Sequence, residues 1–237
     1  MKHIYLLIGL AMGFCNIYPQ HSGCECTADE EQGIWLKEGL MGIEYRNPSE
    51  GFNGRQYFGG WTPGEVILYN GDVIRNIYLR YDKYMDELLW LRDGDFKAGI
   101  LFKGDVAGFR LFDERNKLTA TFIKKNITLP FTGSTDAFLQ VLVSGDITLY
   151  AYRNSDVMTN EHTLVDNIRY LISNAGEEYF LTLRRKSLLE IPVIQRAEMK
   201  AILRTNRISI RNHEQELVRA ISLYNLEHPG QLPGYSR

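Results

Sequence analysis

The dipeptide Asn70-Gly71 stands between two β-prone runs, Val66, Ile67, Leu68 and Tyr69 on one side and Val73 and Ile74 on the other. Asn-Gly in that setting is the strongest short hairpin signal, because both central residues of a type I′ turn need positive φ. Asp93-Gly94, between residues 88–92 and 95–96, repeats the device, and Lys103-Gly104 and Ser144-Gly145 read as further turns of this kind. Between the turns lie strand candidates at 77–81, 98–102, 107–112, 118–123, 138–143, 147–152, 167–172 and 179–183. A chain of hairpins commits the fold to an antiparallel sheet.

The alternation within these strands says more. Ile147, Leu149 and Ala151 fall on one face while Thr148, Tyr150 and Tyr152 fall on the other; Leu139, Val141 and Val143 oppose Phe138, Gln140 and Leu142. A flat sheet with one wet side would not need apolar residues on both faces. The expected fold is mainly β with C-terminal α: a curved antiparallel β-meander, or half-barrel, covered by two C-terminal helices. The body spans 24–185 and the helical cover 186–237, in one domain. In the cover the hydrophobic period changes. Pro192 suits the first turn of a helix, and Val193, Ala197 and Ala201 recur at i, i+4 and i+8 with Ile194 and Ile202 alongside. A second helix is predicted from Asn212, an N-cap with Gln215 three residues on. Leu217, Ile221 and Tyr224 form its apolar stripe, and His228-Pro229-Gly230 closes it.

The N-terminus reads as an export signal over residues 1–23. Lys2 and His3 precede an uncharged, mostly apolar run, and Pro19 to Gly23 is short and polar. The run ends too early to span a bilayer, which takes about 20 apolar residues. Ser22 and Gly23 before Cys24 fit either a signal-peptidase site or a lipoprotein site that acylates Cys24, although His21 stands where a lipobox carries an aliphatic residue. Loss of 1–23 also removes Cys15. Cys24 and Cys26 are then the remaining cysteines, too close for a framework disulfide. The fold must be held by its core, and 44% hydrophobic residues over this length can supply one.

Charge is unevenly divided. Residues 24–183 carry 24 acidic and 16 basic residues, whereas 184–237 carry 5 acidic and 10 basic. Two outcomes follow: the basic helices dock on the acidic sheet and the fields cancel locally, or the run from Arg184 to Arg211 faces an anionic partner such as a lipid headgroup. The export-processed chain remains slightly acidic, which argues against nucleic acid as a partner. Membrane contact would come only through a lipid on Cys24 or through these basic helices.

Local catalytic motifs are absent from the sequence. His162, His213 and His228 make no H-E-x-x-H pattern, so neither a catalytic residue nor a metal site nor a cofactor is assigned. Gly133-Ser134 is half of a nucleophile elbow without its second glycine. The stretch Gly51, Gly54, Gly59 and Gly60 leads into a Trp61-Thr62-Pro63-Gly64 turn rather than a helix, which a phosphate cradle would need. The carboxylate pairs Asp86 and Glu87, Asp93 and Asp95, and Asp113 and Glu114 sit at turns, where Asp serves local structure. Aromatics are the remaining signal: Tyr57, Phe58 and Trp61 cluster at one loop and Tyr78, Tyr81 and Tyr84 recur beyond it. Tyr57, Trp61 and Tyr81 are the binding candidates, since such side chains offer large contact area at small entropic cost.

A wider likeness rests on Trp61-x-x-Gly64-x-Val66-x-Leu68-x-Asn70-Gly71, on Leu79, Arg80, Tyr81 and Asp82, and on the Glu87-Leu88-Leu89 strand. It continues through Lys186, Ser187, Leu188 and Leu189 to Tyr224 and Asn225. Over roughly residues 55–226 the chain resembles a family of uncharacterised exported, β-rich proteins of Bacteroidetes. The resemblance implies a periplasmic or outer-membrane-associated location and carries over no activity and no functional residue. The expected function is non-catalytic binding of a protein or an envelope component. Alternatives are carriage of an apolar ligand in the concave sheet and, third, an enzyme acting on glycans.

Overall fold

The computed structural model describes residues 34–37, 40–47, 53–92, 94, 96–129, 133–158 and 163–228. The signal segment 1–23, Cys24, the acidic leader, Asp93, Asp95 and His162 lie outside the described residues.

Thirteen strands among the described residues make one sheet. They are β1 (Ile34–Lys37), β2 (Leu40–Glu44), β3 (Asn53–Gly54), β4 (Tyr57–Leu68), β5 (Val73–Asp82), β6 (Glu87–Leu91) and β7 (Ala98–Leu101). After them come β8 (Val106–Phe112), β9 (Leu118–Leu129), β10 (Gly133–Val143), β11 (Thr148–Met158), β12 (Thr163–Asn174) and β13 (Glu177–Leu181). Helices α1 (Arg185–Leu189), α2 (Arg196–Thr205) and α3 (Glu214–Glu227) close the chain. The spatial order β1-β2-β7-β6-β5-β4-β8-β9-β10-β11-β12-β13 describes two antiparallel meanders joined where β8 pairs with β4. The expected curved antiparallel meander with a C-terminal helical cover is the fold found; the sheet does not close into a barrel.

Its curvature follows from chain length. In a flat sheet β7 and β8 would lie four strand spacings apart, about 19 Å, whereas the connection from Leu101 to Val106 reaches about 18 Å fully stretched. The first meander must therefore roll up. Bulges help, since an extra residue on one strand bends it and raises its twist. The β4–β5 register shifts between Phe58 and Thr62 and again between Gly64 and Val66. Lys103-Gly104, expected as a hairpin turn, lies instead on this crossing connection, because β7 pairs with β6 and β2, and β8 with β4 and β9.

The Asn70-Gly71 hairpin is real, but its turn differs from the expected type I′. The Gly71 N–H donates to the Leu68 carbonyl at 3.0 Å and the Leu68 N–H to the Asp72 carbonyl at 2.9 Å, with Gly71 at φ 91. Asn70 keeps negative φ and caps the turn, its Oδ1 accepting from the Asp72 N–H at 2.9 Å. This is a three-residue loop ending in a left-handed glycine. The segment Trp61 to Gly64, expected as a turn, is part of β4. Pro63 is tolerated there because β8 begins pairing only at Gly64, which leaves the Pro63 side of β4 as an edge.

Burial falls into distinct clusters. The first meander rolls around Tyr81, Trp90, Phe109, Phe122 and Phe138, all fully buried. The Phe109 and Phe122 rings stack with centroids 4.5 Å apart, and Phe138 meets Phe109 edge-on at 5.2 Å. On β10, Phe138 joins this aromatic core while its neighbours Ala137 and Leu139 join a smaller cluster with Tyr150, Tyr152 and Leu171. On β11 the alternate residues Leu149 and Ala151 turn to a third cluster, shared with Tyr170, Ile172 and the helices. The expected two-faced burial of these strands is found, with one correction: the β10–β11 register shifts between Val141 and Val143, so Val143 leaves the face of Leu139 and Val141 and joins Leu149 in the cluster shared with the helices.

The helices depart from expectation in phase and in starting point. The chain forms a single helical turn at α1, passes Pro192 in a turn, and starts α2 only at Arg196. Ala197 and Ala201 are exposed; Met199, Ile202 and Leu203 face inward with Ile194. The N-cap of α3 is His213 rather than Asn212, which sits at φ 59, and no side chain caps the helix. The stripe Leu217, Ile221 and Tyr224 is buried as expected, with Ala220. No helix among the described residues is long and apolar enough to cross a membrane.

Candidate functional site

Alternation along β5 sorts the aromatic candidates. Ile77, Leu79 and Tyr81 point into the core, and Tyr78 and Arg80 point outward. Tyr81 is therefore fully buried. Its hydroxyl donates to Asp86 Oδ1 at 2.6 Å, with the Arg153 carbonyl as a second, longer acceptor contact at 3.2 Å that shares the same hydrogen, so of the three candidates it is a structural residue. Tyr57 and Trp61 do come together. Residues 59–61 form the bulge of β4 opposite Arg80, with Gly59 at φ 76. The bulge sets Trp61 beside Tyr57 across the Arg80 guanidinium, which lies 3.5 Å from the Tyr57 ring centroid and 5.9 Å from that of Trp61. Tyr78, half exposed, and Pro63, its cross-strand partner, extend the same face.

Arg80, which the sequence offered within the Leu79-Arg80-Tyr81-Asp82 motif but not as a binding candidate, is the charged residue of this face. It makes cation–π contacts worth about 0.5–2 kcal/mol each, and among the described residues it has no carboxylate. Its Nε and the neighbouring Thr62 Oγ1 are buried without a hydrogen-bond partner. Only its outward position, two residues from Tyr78, hinted at it in sequence; the bulge that brings Trp61 to it is not visible there.

The acidic residues are engaged in holding the roll together. Asp82 accepts from the Tyr45 hydroxyl and from Gln56 Nε2, both at 2.8 Å, and from the N–H groups of Tyr84 and Met85. Burial and the hydrogen bonds with Tyr57 and Asp82 push the Tyr45 hydroxyl far above its ordinary pKa. Asp86 accepts from Tyr81, from Lys103 Nζ at 2.7 Å and from the Phe138 N–H at 3.3 Å. Burial raises its pKa, against the opposing pull of Lys103. Lys83 and Arg55 both bind Asp166 on β12. There burial opposes ionisation, but the hydrogen bonds from Lys83 and Arg55 outweigh it and hold the pKa below the ordinary value. The Ser155 hydroxyl donates to the Arg55 carbonyl at 2.6 Å, and β3 pairs with Thr163 and Leu164 of β12. These bonds tie the start of β4 and the end of β5 to β11 and β12.

Among the described residues Glu87 has no such partner. Burial pushes its carboxyl up to about 7; Lys103 opposes this, while Asp86 and Asp82 add to it. Asp113 caps its own turn by accepting from the N–H groups of Arg115 and Lys117. Gly133 and Ser134 open β10, with Ser134 bonded to Thr128. His228 pairs with Glu198 at 2.7 Å. Among the described residues no group of three His, Cys, Asp or Glu is placed to hold a metal ion. What the outer face of β4 and β5 offers chemically is recognition, through one cation held between aromatic rings.

The fold class is thus a strongly curved antiparallel sheet with a helical cover and an aromatic–arginine face on its central hairpin. No family model, curated protein or solved structure matches the chain.

Proposed function

We propose that the chain is a non-catalytic binding protein of the cell envelope, and that it contacts a protein or envelope component through the outer face of the β4–β5 hairpin. The observation that carries this reading is Arg80 held between Tyr57 and Trp61 beside exposed Tyr78, on a bulge with glycines at two of its three positions. Tyr, Trp and Arg are the residues that dominate binding hot spots. The engagement of Asp82, Asp86 and Asp166 in structural bonds weighs against the glycan-acting enzyme. The filling of the rolled sheet by Phe109, Phe122 and Phe138 weighs against an apolar ligand in the concavity. Export rests on the N-terminal pattern of residues 1–23, with Cys24 as the anchor point if the chain is acylated.

The test is crosslinking and affinity purification from the native envelope, comparing the parent with Trp61→Ala. Trp61 is only partly buried, so the variant keeps its fold. Loss of a partner captured by the parent supports the proposal; an identical set of captured components refutes it.

A further inference from the structure

Among the described residues no base of the C-terminal segment pairs with a carboxylate of the sheet. The ion pair that joins the two among those residues has the reverse polarity, with Arg153 of β11 on Glu214 of α3 at 2.8 Å. Within the segment Lys186 pairs with Glu190 and His228 with Glu198. Local cancellation by docking of basic helices on an acidic surface, one of the two outcomes the charge pattern allowed, is not what these contacts show.

Three of the remaining arginines converge. After α2 the chain turns through Arg207, at φ 53, and residues 208–212 run back beside 183–185, where the Asn212 N–H donates to the Leu183 carbonyl at 3.4 Å. Between these segments lies a cleft of about 530 Å³. Leu183, Leu203, Ile208 and Ile210 supply its apolar lining, and Arg184, Arg185 and Arg211 its charge, with Ser209 and Asn212 adding a hydroxyl and an amide. No Asp or Glu lines it, and none of the three exposed guanidinium groups has a partner among the described residues.

We infer that this cleft binds a phosphate group carrying at least two negative charges, a phosphomonoester or a diphosphate. Three like charges gathered around one concavity repel one another, and a compact dianion turns that repulsion into attraction. Guanidinium groups match the geometry of phosphate oxygens through paired N–H donors. Leu203, Ile208 and Ile210 of its lining are buried and held by the core, while a cleft in the range of about 300–1,000 Å³ typical of ligand sites has room for the group to which the phosphate is attached. That group is either a soluble molecule or a lipid headgroup. The inference stands apart from the β4–β5 face, with which the cleft shares no residue.

The experiment titrates the protein at low salt with pyrophosphate by calorimetry, and with phosphatidylcholine vesicles with or without phosphatidic acid by co-sedimentation. The same titrations are run on the double variant Arg184→Gln, Arg211→Gln and on Arg196→Gln, Lys200→Gln, which alters two exposed bases of α2 outside the cleft. All four side chains are exposed and have no partner among the described residues, so melting curves should coincide with the parent's. Saturable pyrophosphate binding, weakened at least tenfold in the cleft variant and unchanged in the α2 variant, supports the site with a soluble ligand. Binding to phosphatidic acid vesicles alone, with the same dependence on the two variants, supports it with a lipid one. Absence of both, or equal losses in the two variants, overturns it.

Discussion

The two halves of this sheet solve one burial problem with different side chains. Around β4 to β9 the sheet rolls up and supplies its own cover, filling the interior with Tyr81, Trp90, Phe109, Phe122 and Phe138. Around β11 to β13 the sheet is covered by helices, and the core is built from Leu, Ile, Ala and Met with Tyr170 and Tyr224 at its margin. In the rolled sheet the large rings fill the centre among Leu, Ile and Val side chains, whereas the helices laid on the sheet bring mostly aliphatic side chains into contact. The rolled half also needs ionic and hydrogen-bonded ties across its open side; the covered half is held mainly by apolar contact, with Arg153, Glu214 and Tyr170 as its polar seam.

The largest expected effect comes from removing the cover. Truncation after Arg211 deletes α3 and uncovers the apolar face it protects. Leu217, Ile221 and Tyr224 bury about 1.5–3 kcal/mol each, comparable in sum with a typical domain stability of about 5–15 kcal/mol. The truncated chain should aggregate or bind a hydrophobic dye that the intact protein ignores. A cooperative melt near the full-length midpoint would show that the covered half does not need its helices.

In the rolled half the matching change is Phe109→Ala, which removes the centre of the stacked cluster. Loss of a buried Phe costs about 3–5 kcal/mol, and the roll has no helix to collapse into the void. Chemical denaturation should show that loss; a change below about 1 kcal/mol would mean that the rolled core repacks freely.

How much of this was legible in the sequence differs between the halves for the same physical reason. Period-two alternation marked Leu149 and Ala151 against Tyr150 and Tyr152, because both faces of β11 are buried and neither can be polar. The inward stripe of α3 was equally plain. The phase of α2 was not, since Val193, Ala197 and Ala201 keep a helical spacing although the chain is not yet helical at Val193. Its true face is set by contact of Met199, Ile202 and Leu203 with α3 and the sheet. Strands β1 to β3 carry too short a pattern to be read. At the candidate site Tyr57 and Trp61 stood out as aromatics, while Arg80 joins them only through a three-residue bulge and the pairing of distant positions. Tyr81 misled because alternation places it opposite to Arg80.

Gly71→Val tests the turn that starts the roll. Gly71 has φ 91, and a Cβ there would meet no neighbour within 4 Å, so the penalty is one of backbone strain alone. Forcing a β-branched residue into that region costs about 1–3 kcal/mol. The unfolding midpoint should fall accordingly, and Gly71→Asn should recover most of the loss, since Asn tolerates the left-handed region. Equal destabilisation by both variants would show that the loop has another constraint.

The smallest effect separates the halves by pH. Glu87 at the β5–β6 turn has its folded pKa raised to about 7, from an ordinary 4.5, chiefly by burial. Below about pH 4.5 the carboxyl is protonated in both states and contributes nothing. Between there and 7 the folded state binds the extra proton, so stability declines as pH rises, and above 7 the full cost of a buried carboxylate is present. With its partial exposure to water allowed for, that cost is about 1–2 kcal/mol. Glu87→Gln, which keeps shape and removes the charge, should therefore stabilise the protein at pH 8 and leave it unchanged near pH 4. The difference between parent and variant should grow across the interval from 4.5 to 7. The Phe109→Ala penalty, an apolar effect in the same half, should not vary over that range. A pH-independent gap between Glu87→Gln and the parent would mean that Lys103 offsets the burial of the Glu87 carboxylate in full.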